Sequence, residues 1–337
     1  MRPPRFWQNP PQSPGGIARI LQPLGMIYAA LTAQRLRQEG YRAAVPVICV
    51  GNLNVGGTGK TPTTIALLGR LSGAQVVSRG YGGSLDGPVR VDPNRHSAAE
   101  VGDEPLLLAA FAPTWVAKNR AAGVKAAEAA GAMVILLDDG FQNPSVQKDI
   151  SLIVVDAERG FGNGLCLPAG PLRESVTTGL ARADLLLSIG SPAAQAQFHE
   201  RWGAVITVPH VHGVVKPLKM GIDWRDQRVL AFAGIAHPDK FFASLRAEGA
   251  QIVQAISLDD HQPLSETLLR RLEAEAFKQG AQLVTTEKDQ TRLPLSFRPK
   301  VLTFVVRLEV EDWTAFDKAV VAKMAPAGAS PDQPISS

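Results

Sequence analysis

The sequence predicts an α/β chain: a mostly parallel sheet, a second and smaller α/β domain, and an amphipathic helix at the N-terminus. Three observations predict it. Short β-branched runs alternate with helical stretches along most of the 337 residues, the pattern that parallel sheets require. Apolar residues make up 45% and charged residues 20%, which supports a buried core and excludes disorder or coiled coil as the main state. A Gly/Pro/His-rich passage, Val208-Pro-His-Val-His-Gly213, separates one α/β series from the next, and at roughly 150 residues per domain the length accommodates two.

The N-terminal element comes first. Ile17, Ile20, Leu21, Leu24, Ile27, Tyr28 and Leu31 fall on one face of a helix, which Pro23 is expected to kink or shorten. Arg19, Gln22 and Pro23 interrupt the apolar run too early for a membrane span. The 16 polar and Pro-rich residues before it do not fit a signal peptide. Two readings remain open from pattern alone: a helix packed on the domain, or one lying in a membrane interface with its arginines at anionic headgroups.

Next, Val45-Pro-Val-Ile-Cys-Val50 reads as a buried strand, and the loop 51–59 leads into Lys60, Thr61 and a helical stretch from Thr64. Strand, Gly-rich loop, Lys-Thr and helix form the context of a phosphate-binding loop. Asn54, Val55, Gly56, Gly57, Thr58 and Gly59 supply the backbone N–H cradle, with the helix dipole behind it. Lys60 is placed to bridge the β- and γ-phosphates and the Thr61 hydroxyl to ligate Mg²⁺. Asn54 stands where the first glycine of GxxxxGK[ST] is usual; Asn tolerates left-handed backbone angles, so the loop is expected to close. Met133-Val-Ile-Leu-Leu-Asp138-Asp139 is an apolar strand ending in two acids, where a carboxylate joins the metal shell in nucleotide-hydrolysing folds. The fold class is therefore P-loop NTPase-type. ATP is favoured over GTP, because Asn-Lys-x-Asp is absent and Lys288 and Asp289 of Thr286-Glu-Lys-Asp289 are adjacent.

Further strands are expected at 74–78, 114–117, 151–155, 184–188, 204–208, 228–233, 251–256, 282–285 and 301–306. Helices are expected at 104–111, 119–130, 193–201, 238–247, 264–279 and 312–323. The organisation read from this is an N-terminal helix at 1–40, a P-loop domain at 41–208, a linker at 209–224, a smaller α/β domain at 225–323 and a Pro/Ser-rich disordered tail at 324–337. Cys49 and Cys166 are read as reduced, buried thiols.

Charge narrows the partners. The net charge is +4, yet residues 1–46 hold six arginines and one acid. The body is near neutral, which argues against a nucleic-acid groove.

Several ordered motifs remain: Ser78-Arg79-Gly-Tyr-Gly, Val101-Gly-Asp103-Glu104-Pro, Asn119-Arg120, Leu137-Asp-Asp-Gly-Phe-Gln142, Leu167-Pro-Ala-Gly-Pro-Leu-Arg173-Glu174, Phe232-Ala-Gly-Ile-Ala, Asp260-His261 and Thr286-Glu-Lys-Asp289. With the loop, they resemble the tetraacyldisaccharide 4′-kinase family, the lipid A kinases of Gram-negative bacteria, over roughly residues 15–320. The resemblance implies transfer of the ATP γ-phosphate to the 4′-hydroxyl of a tetraacylated glucosamine disaccharide 1-phosphate. It also implies a peripheral enzyme at the cytoplasmic face of the inner membrane, its N-terminal helix in the bilayer surface; the charge distribution argues for no nucleic acid, and no protein partner is evident in the sequence. By the same resemblance Asp103 is the candidate general base with His261 as partner. Thr61 and Asp138 or Asp139, with Glu104, are candidates for Mg²⁺, and Arg120 and Arg173 for phosphate charge. The family commonly has His where Asn143 stands, and Asn cannot take up a proton there. A membrane-associated P-loop nucleotide switch or chaperone-type NTPase is the alternative; it needs no acceptor base, which Asp103 and His261 would supply.

Overall fold

The computed structural model describes residues 3–324, so the tail expected at 324–337 lies outside them from residue 325 on. Two sheets organise the chain. The larger contains β1 (Val47–Gly51), β2 (Ala74–Ser78), β3 (Val89–Arg90), β4 (Thr114–Val116), β5 (Val134–Asp138), β6 (Ile150–Asp156), β7 (Leu185–Ile189) and β8 (His210–Pro217). The smaller consists of β9 (Arg228–Ala233), β10 (Gln251–Ser257), β11 (Gln282–Thr286) and β12 (Val301–Phe304); the chain then returns to the large sheet as β13 (Val306–Val310).

The nine strands run in the order β13-β8-β7-β6-β1-β5-β2-β4-β3, parallel except at the two edges, where β13 and β3 are antiparallel. The central strands β1, β5 and β6 are buried throughout, which explains their unbroken Val/Ile/Leu runs: helices cover both faces of a parallel sheet. The small sheet, β10-β9-β11-β12, is wholly parallel.

The helices are α1 (Gly16–Arg35), α2 (Lys60–Leu68), α3 (Ala98–Val101), α4 (Asp103–Leu108), α5 (Arg120–Ala129), α6 (Val176–Leu180), α7 (Pro192–Trp202), α8 (Pro238–Ala247), α9 (Glu266–Lys278), α10 (Glu287–Arg292) and α11 (Thr314–Met324). Short α4 decides the site, because it packs between α2 of the large lobe and α10 of the small one.

Four expectations change. The run 204–208 is not a strand; Gly203–Val205 is a 3-10 turn and the strand is β8. Residues 210–217, inside the expected linker, pair with β7 in the large sheet, because Val211 and Gly213 alternate inward between half-buried histidines. The segment 301–306 divides into β12 and β13, and β13 with α11 belongs to the large lobe, where Phe316 enters the core beside Leu187 and Ile189. Pro23 does not end α1, which continues through it.

α1 contacts the body through small residues. Ala18, Gly25 and Thr32, seven residues apart, are its buried positions. A side chain at Gly25 would meet the Cys166 carbonyl at 2.8 Å. Ile17, Ile20, Leu24, Ile27 and Leu31 are all more than half exposed. The apolar face thus points away from the protein.

Candidate active site

The C-terminal edges of the two sheets face each other, and the candidate residues gather between them. Neighbours β5 and β6 flank β1 on opposite sides, which makes the end of β1 the switch point where open α/β sheets bind ligands. The loop after β1 turns with Gly56 and Gly59 in left-handed conformations, at φ 108° and 96°, and a Cβ at Gly59 would collide with Ile189. Asn54 does not use the left-handed conformation expected of it. It bridges to Leu172, and its Nδ2 donates to the Gly160 carbonyl at 3.1 Å, so amide bonding rather than backbone freedom suits Asn to this position. Val55 N–H donates to the Pro171 carbonyl, and buried Thr58 accepts from Asn52 Nδ2. Gly57 and half-buried Thr61 complete the curve into α2.

Lys60 Nζ lies 3.5 Å from Asp139 Oδ1, which also receives Arg173 Nη1 at 3.0 Å. Burial raises the Asp139 carboxyl, but the charges of Lys60 and Arg173 outweigh it and hold the group down at about 2. Asp139 has φ 51°, an unusual angle for a residue with a side chain. Asp138 behaves in the opposite way. Its Oδ2 accepts from Ser78 Oγ at 3.1 Å, while buried Oδ1 has no partner. Burial first, then the charges of Glu104 and Asp139, push its carboxyl up to about 7. Arg120 is 4% exposed and donates through Nη2 to the carbonyls of Asp138 and Asp139, both at 3.1 Å. Its Nε and Nη1 are buried without partners. It braces the two-acid turn and keeps spare donors.

The second half is built on α4. Gly102, at φ 87°, separates it from α3 and approaches the Tyr81 carbonyl too closely for a Cβ, so Asp103 and Glu104 open a new helix with their charges at its positive end. Asp103, 3% exposed, meets His261 Nδ1 through Oδ2 at 2.9 Å. His261 follows β10 in the small lobe, at φ 59°, with the Tyr81 ring edge-on to it at 5.6 Å. Burial raises the Asp103 carboxyl, but the hydrogen bond from His261 and the charges of Lys288 and Arg292 lower it overall. The hydrogen bond to Asp103 in turn raises His261 above the ordinary imidazole range.

Lys60, Asp138, Asp139, Arg120 and Arg173 thus form one charged group. Asp103 and His261 form a second, and Glu104 lies between them. Among the described residues no three His, Cys, Asp or Glu side chains converge as a ready-made metal cage. Asn143 does not enter the site; its Oδ1 accepts from Ser145 N–H and Oγ in a turn.

Comparison with known proteins identifies the family. The family profile for tetraacyldisaccharide-1-P 4′-kinase, LpxK, matches residues 17–325. The chain belongs to this family. A tetraacyldisaccharide 4′-kinase of Dinoroseobacter shibae is 61% identical over 326 residues, covering 95% of this chain and 97% of the relative. One from a Jannaschia species is 55% identical over 325 residues, covering 95% and 98%. The crystal structure of LpxK from Aquifex aeolicus in complex with ATP superposes with a TM-score of 0.75 at 24% identity, over 92% of this chain and 100% of that one. The nucleotide-switch alternative is not favoured.

Some participants escaped the sequence reading. Gln142 donates to the Asn52 carbonyl and to Glu174 Oε1, and accepts from Arg173 Nη1, tying the loop to the arginine. Arg182 holds Glu174 through two contacts of 2.7 and 2.6 Å, and lies 4.2 Å over the Phe141 ring. Nothing in the sequence around Arg182 signals this. Lys288 and Arg292 reach Asp103 from α10; the signal was the Thr286-Glu-Lys-Asp289 run, read only as a failed guanine pattern and a family motif.

Proposed function

We propose that this chain transfers the γ-phosphate of ATP to the 4′-hydroxyl of a tetraacylated glucosamine disaccharide 1-phosphate, at the cytoplasmic face of the inner membrane. The observation that carries this reading is the 2.9 Å contact between buried Asp103 and His261 of the other lobe. It sits one residue from Glu104, whose charge acts on Asp138 at the nucleotide strand. A nucleotide switch has no use for a proton acceptor at that point.

In this reading the 54–61 loop wraps the phosphates and Lys60 bridges the β- and γ-groups. Asp103 takes the proton of the 4′-hydroxyl while His261 orients and shares it; the pair titrates as a unit. The hydroxyl oxygen forms a bond to the γ-phosphorus, the bond from that phosphorus to the β–γ bridging oxygen breaks, and ADP departs with that oxygen. Lys60, Arg120 and Arg173 offset the phosphoryl charge in a site where donors are already in place.

A magnesium ion fits the residues present. Asp138 is buried, one of its oxygens lacks a partner, and neighbouring carboxylates make its ionisation costly. A divalent cation relieves that cost. Thr61 and Asp138 would hold it, with Asp139 and Glu104 through water, since Mg²⁺ takes few protein ligands and keeps water and phosphate oxygens. It would supply charge neutralisation at the β- and γ-oxygens.

α1 supports the membrane surface as the working place. It is the one helix among the described residues long and apolar enough to cross a membrane, but small residues seat it along the body with its apolar face outward. That arrangement suits a helix lying in the interface, and Arg19, Arg35 and Arg37 provide contacts for anionic headgroups.

Incubation with γ-labelled ATP and the tetraacyl disaccharide 1-phosphate in mixed micelles tests the reading. Label is expected in the lipid. An unlabelled lipid together with intact nucleotide binding would return the switch.

A further inference from the structure

Lys288 lies in the cleft and the roles above do not use it. Its ammonium comes from the small lobe and sits 3.2 Å from Glu104 Oε1, 3.8 Å from Asp103 Oδ2 and 3.9 Å from Asp260 Oδ1. The side chain is 18% exposed. The element carrying it is locked in place. Thr286 Oγ1 and Asp289 cap each other, and the buried Asp289 carboxylate accepts the Gly234 N–H from the end of β9. α10 is thereby fixed to the small sheet and aimed at α4.

From this geometry we infer that Lys288 is a further catalytic residue: a second lysine that meets the transferring phosphoryl group from the acceptor side, opposite Lys60. The inference rests on the kinase reading. An acceptor hydroxyl within hydrogen-bond reach of Asp103 lies about 3 Å from that carboxylate, and so beside an ammonium 3.8 Å from the same oxygen. The γ-phosphorus becomes bonded to that hydroxyl oxygen. In the resting protein three carboxylates hold the ammonium. Proton transfer to the Asp103–His261 pair removes one of those charges, and the lysine's charge is freed as negative charge spreads over the phosphoryl oxygens.

Neighbouring Arg292 cannot do this. Its guanidinium is tied to the carbonyls of Gly234 and Gln262, at 2.8 and 3.0 Å, and to Asp289. Only Nε faces Asp103, at 3.9 Å. Lys288 is held near Asp103 by long ionic contacts, and its flexible stem and compact charge suit exchange between partners.

The bland alternative is that Lys288 is an ion-paired tether between lobes. Lys240 is such a tether, bridging Asp156 and Glu158 of the large lobe at 2.8 Å each, and it serves as the control. The experiment compares the full chain with Lys288→Met, Lys288→Gln and Lys240→Met. Each is tested for phosphate transfer to the lipid, for binding of a non-hydrolysable ATP analogue, and for binding of ADP with aluminium fluoride plus acceptor lipid, a mimic of the transferring group. For both Lys288 variants we expect kcat to fall roughly 100-fold or more, with ATP-analogue affinity within about twofold of the parent, since the interaction is made only in the transition state. The fluoride complex should weaken with kcat, while Lys240→Met keeps it. Gln is one bond shorter but keeps an N–H donor directed toward Glu104 without the charge, so it also answers if Met fails to fold. Retention of the fluoride complex by Lys288→Gln, or equal weakening of analogue and fluoride complex, overturns the assignment. Failure of the parent to label the lipid would instead count against the kinase reading itself.

Discussion

The two lobes present the same architectural feature, the C-terminal edge of a parallel sheet, and complete it differently. On the large sheet the edge is wired within itself: Lys60 meets Asp139, Asp139 meets Arg173, and Gln142 ties Arg173 to the root of the loop. On the small sheet the reactive groups find partners across the cleft, His261 on Asp103 and Lys288 on Glu104. In the proposed function the nucleotide half lies in one lobe. The proposed acceptor half depends on contacts between both lobes, so damage to each should give a different kinetic signature.

Lys60→Ala should have the largest effect, because it removes the lysine proposed to bridge the β- and γ-phosphates and leaves Asp139 with one cation fewer. Phosphate transfer is expected to fall by about 1000-fold or more, with weakened ATP-analogue binding in a direct titration. Appreciable remaining turnover would refute the loop assignment. His261→Ala and Asp103→Asn come next, with kcat lower by roughly 100- to 1,000-fold and ATP-analogue affinity within about twofold. Equal losses in binding and turnover would erase the distinction between the lobes.

How much of this was legible in the sequence follows the same division. Local signals wrote the large-lobe half: a strand, a loop whose glycines need left-handed angles, a lysine at a helix start, and an apolar run ending in two acids. The acceptor half depends on contacts such as Asp103 with His261, 158 residues apart, which no spacing rule reaches; only family resemblance named the pair. β8 was misread because histidines obscure an alternating strand, and β13 because its partner precedes the small lobe in the chain. Lys288 stood within a quoted motif, but its role depends on where α10 points, which the Asp289–Gly234 bond sets. Arg182 acts through Glu174 and carries no local signature.

Asp138 offers a smaller and sharper test within the nucleotide half. Its carboxyl is raised to about 7 in the folded protein, against about 4 in an unfolded chain. Between those values the folded state keeps a proton the unfolded state has released, so this group makes stability fall as pH rises through the window. Without metal or nucleotide, Asp138→Asn should therefore melt above the parent at pH 8 and close to it at pH 4. A gain of about 1–2 °C is expected per kcal/mol relieved in a chain of 337 residues, alongside loss of Mg²⁺-dependent transfer. The same gain at both pH values would place the effect in packing rather than in charge.

The smallest effect on chemistry, and a selective one on location, is expected at α1, which differs from both lobes in turning its apolar face outward. Leu24 and Ile27 are 53% and 57% exposed, so replacing both with Ser removes little contact with the body and should leave ATP-analogue binding and melting unchanged. Full burial of one such side chain is worth about 1.5–3 kcal/mol. Partial insertion of two should therefore make partition into anionic vesicles roughly 10- to 100-fold weaker, read by co-sedimentation. Gly25→Leu attacks the other side of the same helix, where the Cys166 carbonyl leaves no room. It should lower stability while leaving the outward face intact. If the Ser pair destabilised the protein without affecting vesicle binding, the outward face would be packing surface and the membrane reading of α1 would fail. If only vesicle binding fell, the seam of Ala18, Gly25 and Thr32 would be the anchor to the enzyme and the opposite face the anchor to the lipid.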